Sequence, residues 1–181
     1  DKAHTLNYWK AEFESSGIGK DEKTRAAIKA KNDEISALGN TFGQNINNAV
    51  NKIQVKADRL AGLPQDYLDS HPADEEGMVT ITTAYSDTQP ITKYAHDRSL
   101  RKEVVMMSRN RAVDENTPVL KELLQKRYEL AQLLGHKNYA ETNMLGTMVA
   151  KPSNVADFTA KLSAAIADPV VKEKAQLLAQ M

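Results

Sequence analysis

Apolar residues recur at intervals of three and four along most of this chain, and this spacing limits its fold more than any other feature. The longest run follows Asp21, a potential N-cap, and keeps one face apolar for about eight turns through Ile28, Ile35, Leu38, Phe42, Ile46, Val50 and Ile53. A shorter run, Leu6, Trp9 and Phe13, predicts a helix whose side chains are expected to pack in the core. The pattern predicts a mostly α, multi-helix domain with one long N-terminal helix.

Further helices are predicted in the second half of the chain, where capping residues and prolines mark their ends. The signals are Pro90, Asp97, Thr117 with Pro118, Asn138, and Asn154 with Asp157 at helix starts, Gly135 at a helix end, and Pro169 at a break or kink. Between two of these signals, Met106 and Met107 are interpreted as core filler rather than as an adaptable binding groove.

One segment departs from the helical period. Residues 78–84 alternate Val79, Ile81 and Thr83 with smaller or polar residues, which predicts a minor β-strand or hairpin. A single strand is not stable alone, and no second convincing strand is evident in the sequence. The partner is therefore expected in an unrecognised hairpin or outside the chain, and we hypothesise a small sheet completed by residues further downstream.

Charge and composition exclude several classes of protein. Lys and Arg total 24 and Asp and Glu total 24, so no net field favours nucleic acid or an acidic membrane surface. No apolar run is long enough to cross a bilayer, and the chain is expected to be soluble. The absence of cysteine excludes disulfides, thiolate nucleophiles and cysteine-ligated zinc.

The histidines do not form a recognisable metal site. A helical zinc site commonly needs two histidines four residues apart, and no such pair follows His4, His71, His96 or His136. His71 and Glu75 have suitable spacing, but Pro72 makes a continuous helix through both unfavourable. Serine-nucleophile and phosphate-loop motifs are also absent. The sequence therefore predicts no catalytic, cofactor-binding or metal-binding residue.

A basic cluster leaves two interpretations open. Its members could bind a phosphate or a peptide carboxylate, but acidic residues lie between them, which favours a solvated, salt-bridged face. The basic residues are Arg98, Arg101, Lys102, Arg109 and Arg111, and the acidic ones are Asp97, Glu103, Asp114 and Glu115.

Several motifs occur together in a specific combination. They are R-x-L-R at residues 98–101, S-R-N-R-A at 108–112, R-x-E-x-A-x-L-L-G-x-x-N-Y-A-E at 127–141, and K-P-S-N-V at 151–155. With the long helix and the L-A-G-L-P connector upstream, they resemble the helical region of the thimet oligopeptidase / oligopeptidase A family of zinc metallopeptidases. The resemblance spans most of the chain.

The resemblance implies a function that this segment does not perform alone. The family's metal site is an H-E-x-x-H helix with a later glutamate, and neither motif is present here. The chain would be the noncatalytic wall of a channel that admits short peptides, with zinc bound by a catalytic part downstream of residue 181. His136 would then belong to a helix connector.

On this interpretation residues 1–181 divide into a long-helix part at about 1–60, a connector and strand at about 61–88, and a helical bundle at about 89–181. Expected partners are oligopeptide substrates and the downstream catalytic part, with no nucleic acid and no membrane. The alternative is a stand-alone helical module that binds a protein or peptide. Peptide specificity, endopeptidase or dipeptidyl carboxypeptidase action, oligomeric state, and a cytoplasmic or periplasmic location stay open.

Overall fold

A computed structural model describes residues 2–180, with the side chain of His4 excluded. The prediction of a mostly α fold with a minor sheet is confirmed. The elements in chain order are α1 Lys2–Ser15, α2 Glu22–Asn48, β1 Lys52–Lys56, a 3₁₀ turn Ala57–Leu60, α3 Gln65–Ser70, β2 Met78–Thr82, α4 Tyr85–Tyr94, α5 Arg98–Arg109, α6 Val113–Leu134, α7 Tyr139–Met144 and α8 Pro152–Ala179. None of the helices within residues 2–180 is both long and apolar enough to cross a bilayer.

The strand at residues 78–82 finds its partner inside the chain. β1 and β2 pair antiparallel, with Ile53 opposite Ile81 and Val55 opposite Val79. The hypothesis of a sheet completed downstream is therefore wrong. β1 alternates apolar and polar residues as a strand does, but Ile53 also continues the helical spacing of α2, so the period alone could not separate the two structures.

The long helix is consequently shorter than expected. Asp21 caps it as predicted, since its carboxylate accepts a hydrogen bond from the Thr24 backbone N–H at 3.0 Å. α2 ends at Asn48, so Val50 and Ile53 lie outside it.

Prolines mark helix ends less faithfully than expected. Pro90 and Pro118 are each the sixth residue of their helices, and α8 continues through Pro169. An interior proline leaves one carbonyl without its intrahelical partner, and Ser86, the residue four before Pro90, is exposed, so water can satisfy that carbonyl. The last helix also begins two residues before Asn154, at Pro152.

The chain divides into two compact units. Unit 1 consists of Asp1–Ser36 and Leu123–Met181, and unit 2 consists of Ala37–Glu122. The core of unit 2 joins the sheet to α4 and α5, and its fully buried side chains include Ile81, Ile91, Leu100 and Val104. Burial of both strands against helices explains why a ribbon of two strands is stable here.

Unit 1 has a smaller core, formed by Ile28 with Leu130 and Leu134. Lysines and glutamates flank that core: the Lys31 ammonium lies 2.8 Å from the Glu129 carboxylate and Lys126 lies 2.9 Å from Glu34. These pairs connect the unit 1 parts of α2 and α6.

Large apolar side chains of unit 1 remain uncovered. Leu6, Trp9 and Phe13 are 69%, 55% and 53% exposed, so their predicted burial in the core of this chain is wrong. α8 has a longer exposed apolar face, formed by Phe158, Leu162, Ile166, Val170, Val171, Leu177 and Leu178. Helical spacing identified these faces correctly, but spacing does not specify what a face packs against.

Candidate functional site

His71 takes part in local structure. The His71 ring stacks on the Tyr67 ring with centroids 4.1 Å apart, and His71 Nδ1 lies 2.9 Å from the Tyr67 carbonyl oxygen. His71 Nε2 lies 3.1 Å from Asp87 Oδ1. His71 is thus paired with Asp87, and none of these contacts involves Glu75.

Asp87 is 3% exposed and its carboxylate is fully engaged. Asp87 Oδ2 accepts hydrogen bonds from the Thr82 backbone N–H at 2.7 Å and from the Thr82 hydroxyl at 2.6 Å. This carboxylate fastens the start of α4 to the end of β2. Beside it, the Tyr67 hydroxyl is buried without a hydrogen-bond partner among the described residues; burial raises the pKa of the Tyr67 phenol, and the Asp87 charge adds to the rise.

The His71 and Asp87 pair does not suit zinc. Zinc sites need three or four donor atoms with free lone pairs, and here both Asp87 oxygens and both His71 nitrogens already have partners. Within residues 2–180, apart from the side chain of His4, no three histidine, aspartate or glutamate side chains are grouped closely enough to hold a metal.

His136 lies in a helix connector, as the resemblance implied. α6 ends in a Schellman motif: the Gly135 N–H donates to the Gln132 carbonyl at 3.0 Å, the His136 N–H donates to the Ala131 carbonyl at 2.9 Å, and Gly135 has φ +91°. His136 Nδ1 is 2.9 Å from the Thr142 hydroxyl. Asn138 then caps α7 as predicted, accepting from the Glu141 N–H at 3.0 Å.

Asp97 and Arg59 form an ion pair beside the basic cluster. Asp97 caps α5, accepting from the Ser99 and Leu100 backbone N–H groups, and Arg59 Nε donates to Asp97 Oδ2 at 2.7 Å. Hydrogen bonds from Ser99 and from Arg59 hold the pKa of the Asp97 carboxyl well below its usual range. Arg59 also reaches Glu103 at 3.2 Å.

The basic cluster itself is not salt-bridged in the described part of the chain, so that half of the favoured interpretation is wrong. The expected solvation is found for Arg98, Lys102 and Arg109, which are exposed. The acids Asp97 and Glu103 pair with Arg59, which lies outside the cluster. Arg101 donates to the Ala95 and His96 carbonyls, and Arg111 Nε donates to the Ser108 carbonyl at 3.2 Å. The sequence showed which charges lie close along the chain, but it could not show that Arg59 reaches across from another element.

Two of these arginines line an open groove in unit 2. The groove has a volume of about 520 Å³ and lies among the C-terminal part of α2, α4 and α5; its lining residues are Ile46, Tyr85, Thr88, Gln89, Thr92, Val105, Ser108, Arg109 and Arg111. A second hollow of about 280 Å³ shares Ile46, Arg109 and Arg111 with it. Arg109 and Arg111 therefore border both hollows.

The groove combines uncommitted polar groups with apolar ones. The Tyr85 side chain is 81% exposed, and neither Tyr85 nor Gln89 makes a side-chain hydrogen bond within the described residues. Ile46 and Val105 supply apolar wall, and Val105 is 40% exposed. Such a surface can hold an anionic group beside apolar side chains.

The prediction that Met106 and Met107 fill the core is wrong for Met106, which is 53% exposed, whereas Met107 is half-buried. Met106 lies on α5 next to Val105, which lines the groove. Sequence reasoning identified the two arginines but assigned them to a salt-bridged face. The available signal was the S-R-N-R-A motif, where two cations flank a single asparagine.

The chain is similar to a set of peptidases. It is 32% identical over 184 residues to oligopeptidase A of Salmonella typhimurium, covering 93% of this chain and 27% of that protein. It is 29% identical to the thimet-like oligopeptidase of Dictyostelium discoideum and 29% identical to saccharolysin of Saccharomyces cerevisiae, covering 89% and 92% of this chain and 24% of each relative. The chain thus spans about a quarter of the length of these curated relatives.

The model of a protein family also matches part of this chain. Residues 91–181, which include α5, α6, α7 and α8, match the model of peptidase family M3. The matched region contains the S-R-N-R-A motif and the Schellman connector at Gly135. This match, together with relatives that align over most of the chain, shows that the chain belongs to peptidase family M3.

Proposed function

We propose that this chain is a noncatalytic helical portion of a zinc-dependent oligopeptidase that hydrolyses short peptides. The observation that carries the proposal is the family M3 match over residues 91–181. It is combined with the finding that no three metal-binding side chains are grouped closely enough to hold zinc among the described residues. Zinc would be bound by the H-E-x-x-H helix and the later glutamate that the family resemblance implies, outside this chain. No residue of this chain is assigned a catalytic step.

The uncovered apolar faces support the same proposal. α8 is exposed along most of its apolar stripe, and Phe158 and Leu177 are 67% and 64% exposed. An exposed apolar surface of this extent is typical of an interaction site, because its burial is a main source of association free energy. The catalytic part of the same protein is the partner that we propose for this face.

The proposal keeps the three segments into which the sequence is predicted to divide. The long-helix part at about 1–60, the connector and strand at about 61–88, and the bundle at about 89–181 would together wall the path of an oligopeptide substrate. The small sheet and the groove, both in unit 2, would lie on the substrate side of this wall.

Zinc content and peptide cleavage test the proposal. The 181-residue chain and a version extended with the following residues of the same protein would be compared for bound zinc and for cleavage of a quenched short peptide. Zinc at one equivalent and chelator-sensitive cleavage are expected in the extended version alone. One equivalent of zinc or cleavage in the 181-residue chain would overturn the noncatalytic assignment.

A stand-alone helical binding module is the second candidate, and the groove of unit 2 favours it. If the extended protein neither binds zinc nor cleaves peptides, while the 181-residue chain binds a peptide, this second function replaces the first.

A further inference from the structure

We propose that the groove of unit 2 is a binding site for the C-terminal carboxylate of a short peptide, with Arg109 and Arg111 as the cations that hold it. The proposal rests on the proposed function for its substrate class, since an oligopeptidase meets short peptides with free ends. Its evidence is the unneutralised charge, the neighbouring polar groups and the apolar wall of this groove.

The positive charge of the site has no described acidic partner. Arg109 makes no ion pair or side-chain hydrogen bond within the described residues, and Arg111 commits only its Nε, to the Ser108 carbonyl. The two terminal nitrogens of the Arg111 guanidinium and the whole Arg109 fork are therefore available. A planar guanidinium can donate two parallel hydrogen bonds to one carboxylate, which makes arginine the preferred residue for this ligand.

The backbone around the arginines fixes their positions. Arg109 is the last residue of α5, and the Asn110 side chain donates to the Met106 carbonyl at 2.9 Å across the end of that helix. Ala112 is 7% exposed and has φ +53°, so the chain turns sharply before α6 begins at Val113. The turn places both cations on the border of the two hollows.

The rest of the groove suits a peptide. Tyr85 and Gln89 offer hydrogen-bonding groups for a peptide backbone, whereas the Thr92 hydroxyl is already engaged with the Thr88 carbonyl at 2.7 Å. Ile46 and Val105 offer apolar contact for peptide side chains. A groove of about 520 Å³ lies within the range of roughly 300–1,000 Å³ that is usual for small-ligand sites.

Two acidic residues follow the arginines along the chain. Asp114 and Glu115 occupy the first turn of α6, directly after the arginines, and both are exposed. They oppose a doubly charged anion more strongly than a singly charged one, because repulsion grows with the charge of the ligand. The arginines attract a doubly charged anion more strongly by the same law, so the contacts that Tyr85, Gln89 and the apolar wall offer to a peptide must distinguish its carboxylate from phosphate.

Binding of matched peptides to the 181-residue chain tests the proposal. The probes are an N-acetylated tetrapeptide of alanine and leucine with a free carboxylate, the same peptide as its C-terminal amide, and inorganic phosphate. We expect the free acid to bind about tenfold more tightly than the amide, as the loss of a charge-assisted hydrogen bond implies. Equal binding of acid and amide, or binding of phosphate as tight as that of the acid, would overturn the proposal.

Variants test whether Arg109 and Arg111 cause the preference for the free acid. Arg109→Gln with Arg111→Gln should remove the preference for the free acid, and Arg109→Lys should retain part of it because charge remains while the planar fork is lost. Arg98→Gln is the matched control, since Arg98 is an exposed arginine of α5 that does not line the groove. Circular dichroism would verify that each variant is folded. Loss of preference in Arg98→Gln, or its retention in the folded double variant, would contradict the assignment.

The binding experiment is independent of the zinc experiment. If the 181-residue chain prefers the free acid but the extended protein neither binds zinc nor cleaves peptides, the proposed function is wrong and the carboxylate site still holds. Zinc-dependent cleavage in the extended protein, with no acid discrimination by the 181-residue chain, would sink the carboxylate site alone.

Discussion

The Asn116 side-chain Nδ2 donates a hydrogen bond to the Phe42 carbonyl oxygen at 3.1 Å, and this contact joins α6 to α2 within unit 2. Asn116 Oδ1 in turn accepts from Asn45 Nδ2 at 2.9 Å, and Asn116 is only 5% exposed. A buried amide satisfied on both sides fixes the register of two helices more specifically than apolar contact does.

Replacement of this amide should destabilise unit 2. Asn116→Ala leaves the Phe42 carbonyl and the Asn45 amide without their partners, and we expect a loss of about 1–3 kcal/mol in the free energy of unfolding. Urea titration followed by circular dichroism measures it. Asn47→Ala, an exposed asparagine of α2, is the control and should stay within about 0.5 kcal/mol of the parent; equal losses in both variants would show that the buried amide has no special role.

Gly62 should tolerate a methyl group poorly. It has φ +95°, and a Cβ there would lie 2.5 Å from both His96 Cδ2 and the Tyr94 carbonyl oxygen. Gly77 has φ +75° but no neighbour within 4 Å. Both alanine variants carry the left-handed backbone cost, and steric overlap should make Gly62→Ala less stable than Gly77→Ala by about 1–3 kcal/mol. Thermal unfolding of the two variants decides this; closely similar values would mean that the His96 side chain and the neighbouring backbone move aside without cost.

Asp97 should make stability depend on acid pH. Its pKa is lowered in the folded state by hydrogen bonds from Ser99 and Arg59, so its contribution is fully present above the unfolded value of 3.8 and is lost as pH falls through the lower folded value. Asp97→Asn should therefore flatten the decline of stability below pH 3.8 in urea titrations. Glu75→Gln, which alters an exposed acid, should leave that decline unchanged; a parent-like decline in Asp97→Asn would contradict the linkage.

The exposed face of α8 gives a prediction about the larger protein. Phe158 and Leu162 are 67% and 47% exposed, so replacing both with serine should change the stability of the 181-residue chain by no more than about 0.5 kcal/mol. In the extended protein the same residues would be buried, and the loss should reach at least about 2 kcal/mol. Lys161→Ser, on the same helix, is the control for both. Equal effects in the short and extended proteins would argue against coverage of this face.

The sequence by itself determined the helical architecture, because a 3.6-residue period and caps such as Asp21, Asp97 and Asn138 depend on neighbours only a few residues away. Resemblance to a peptidase family was also readable in the sequence, since its motifs are local strings.

Only the tertiary structure decided which contacts connect distant parts of the chain. In the structure β1 pairs with β2, and Asp97 forms an ion pair with Arg59. Arg109 lines the same groove as Tyr85 and Gln89 and forms no ion pair among the described residues. Ile53 fits both a helix face and a strand, so its structure depended on whether Ile81 was available opposite it. Likewise, apolar spacing predicts that Leu6 or Phe158 will be buried against something, but the partner of a face is fixed by packing across the chain.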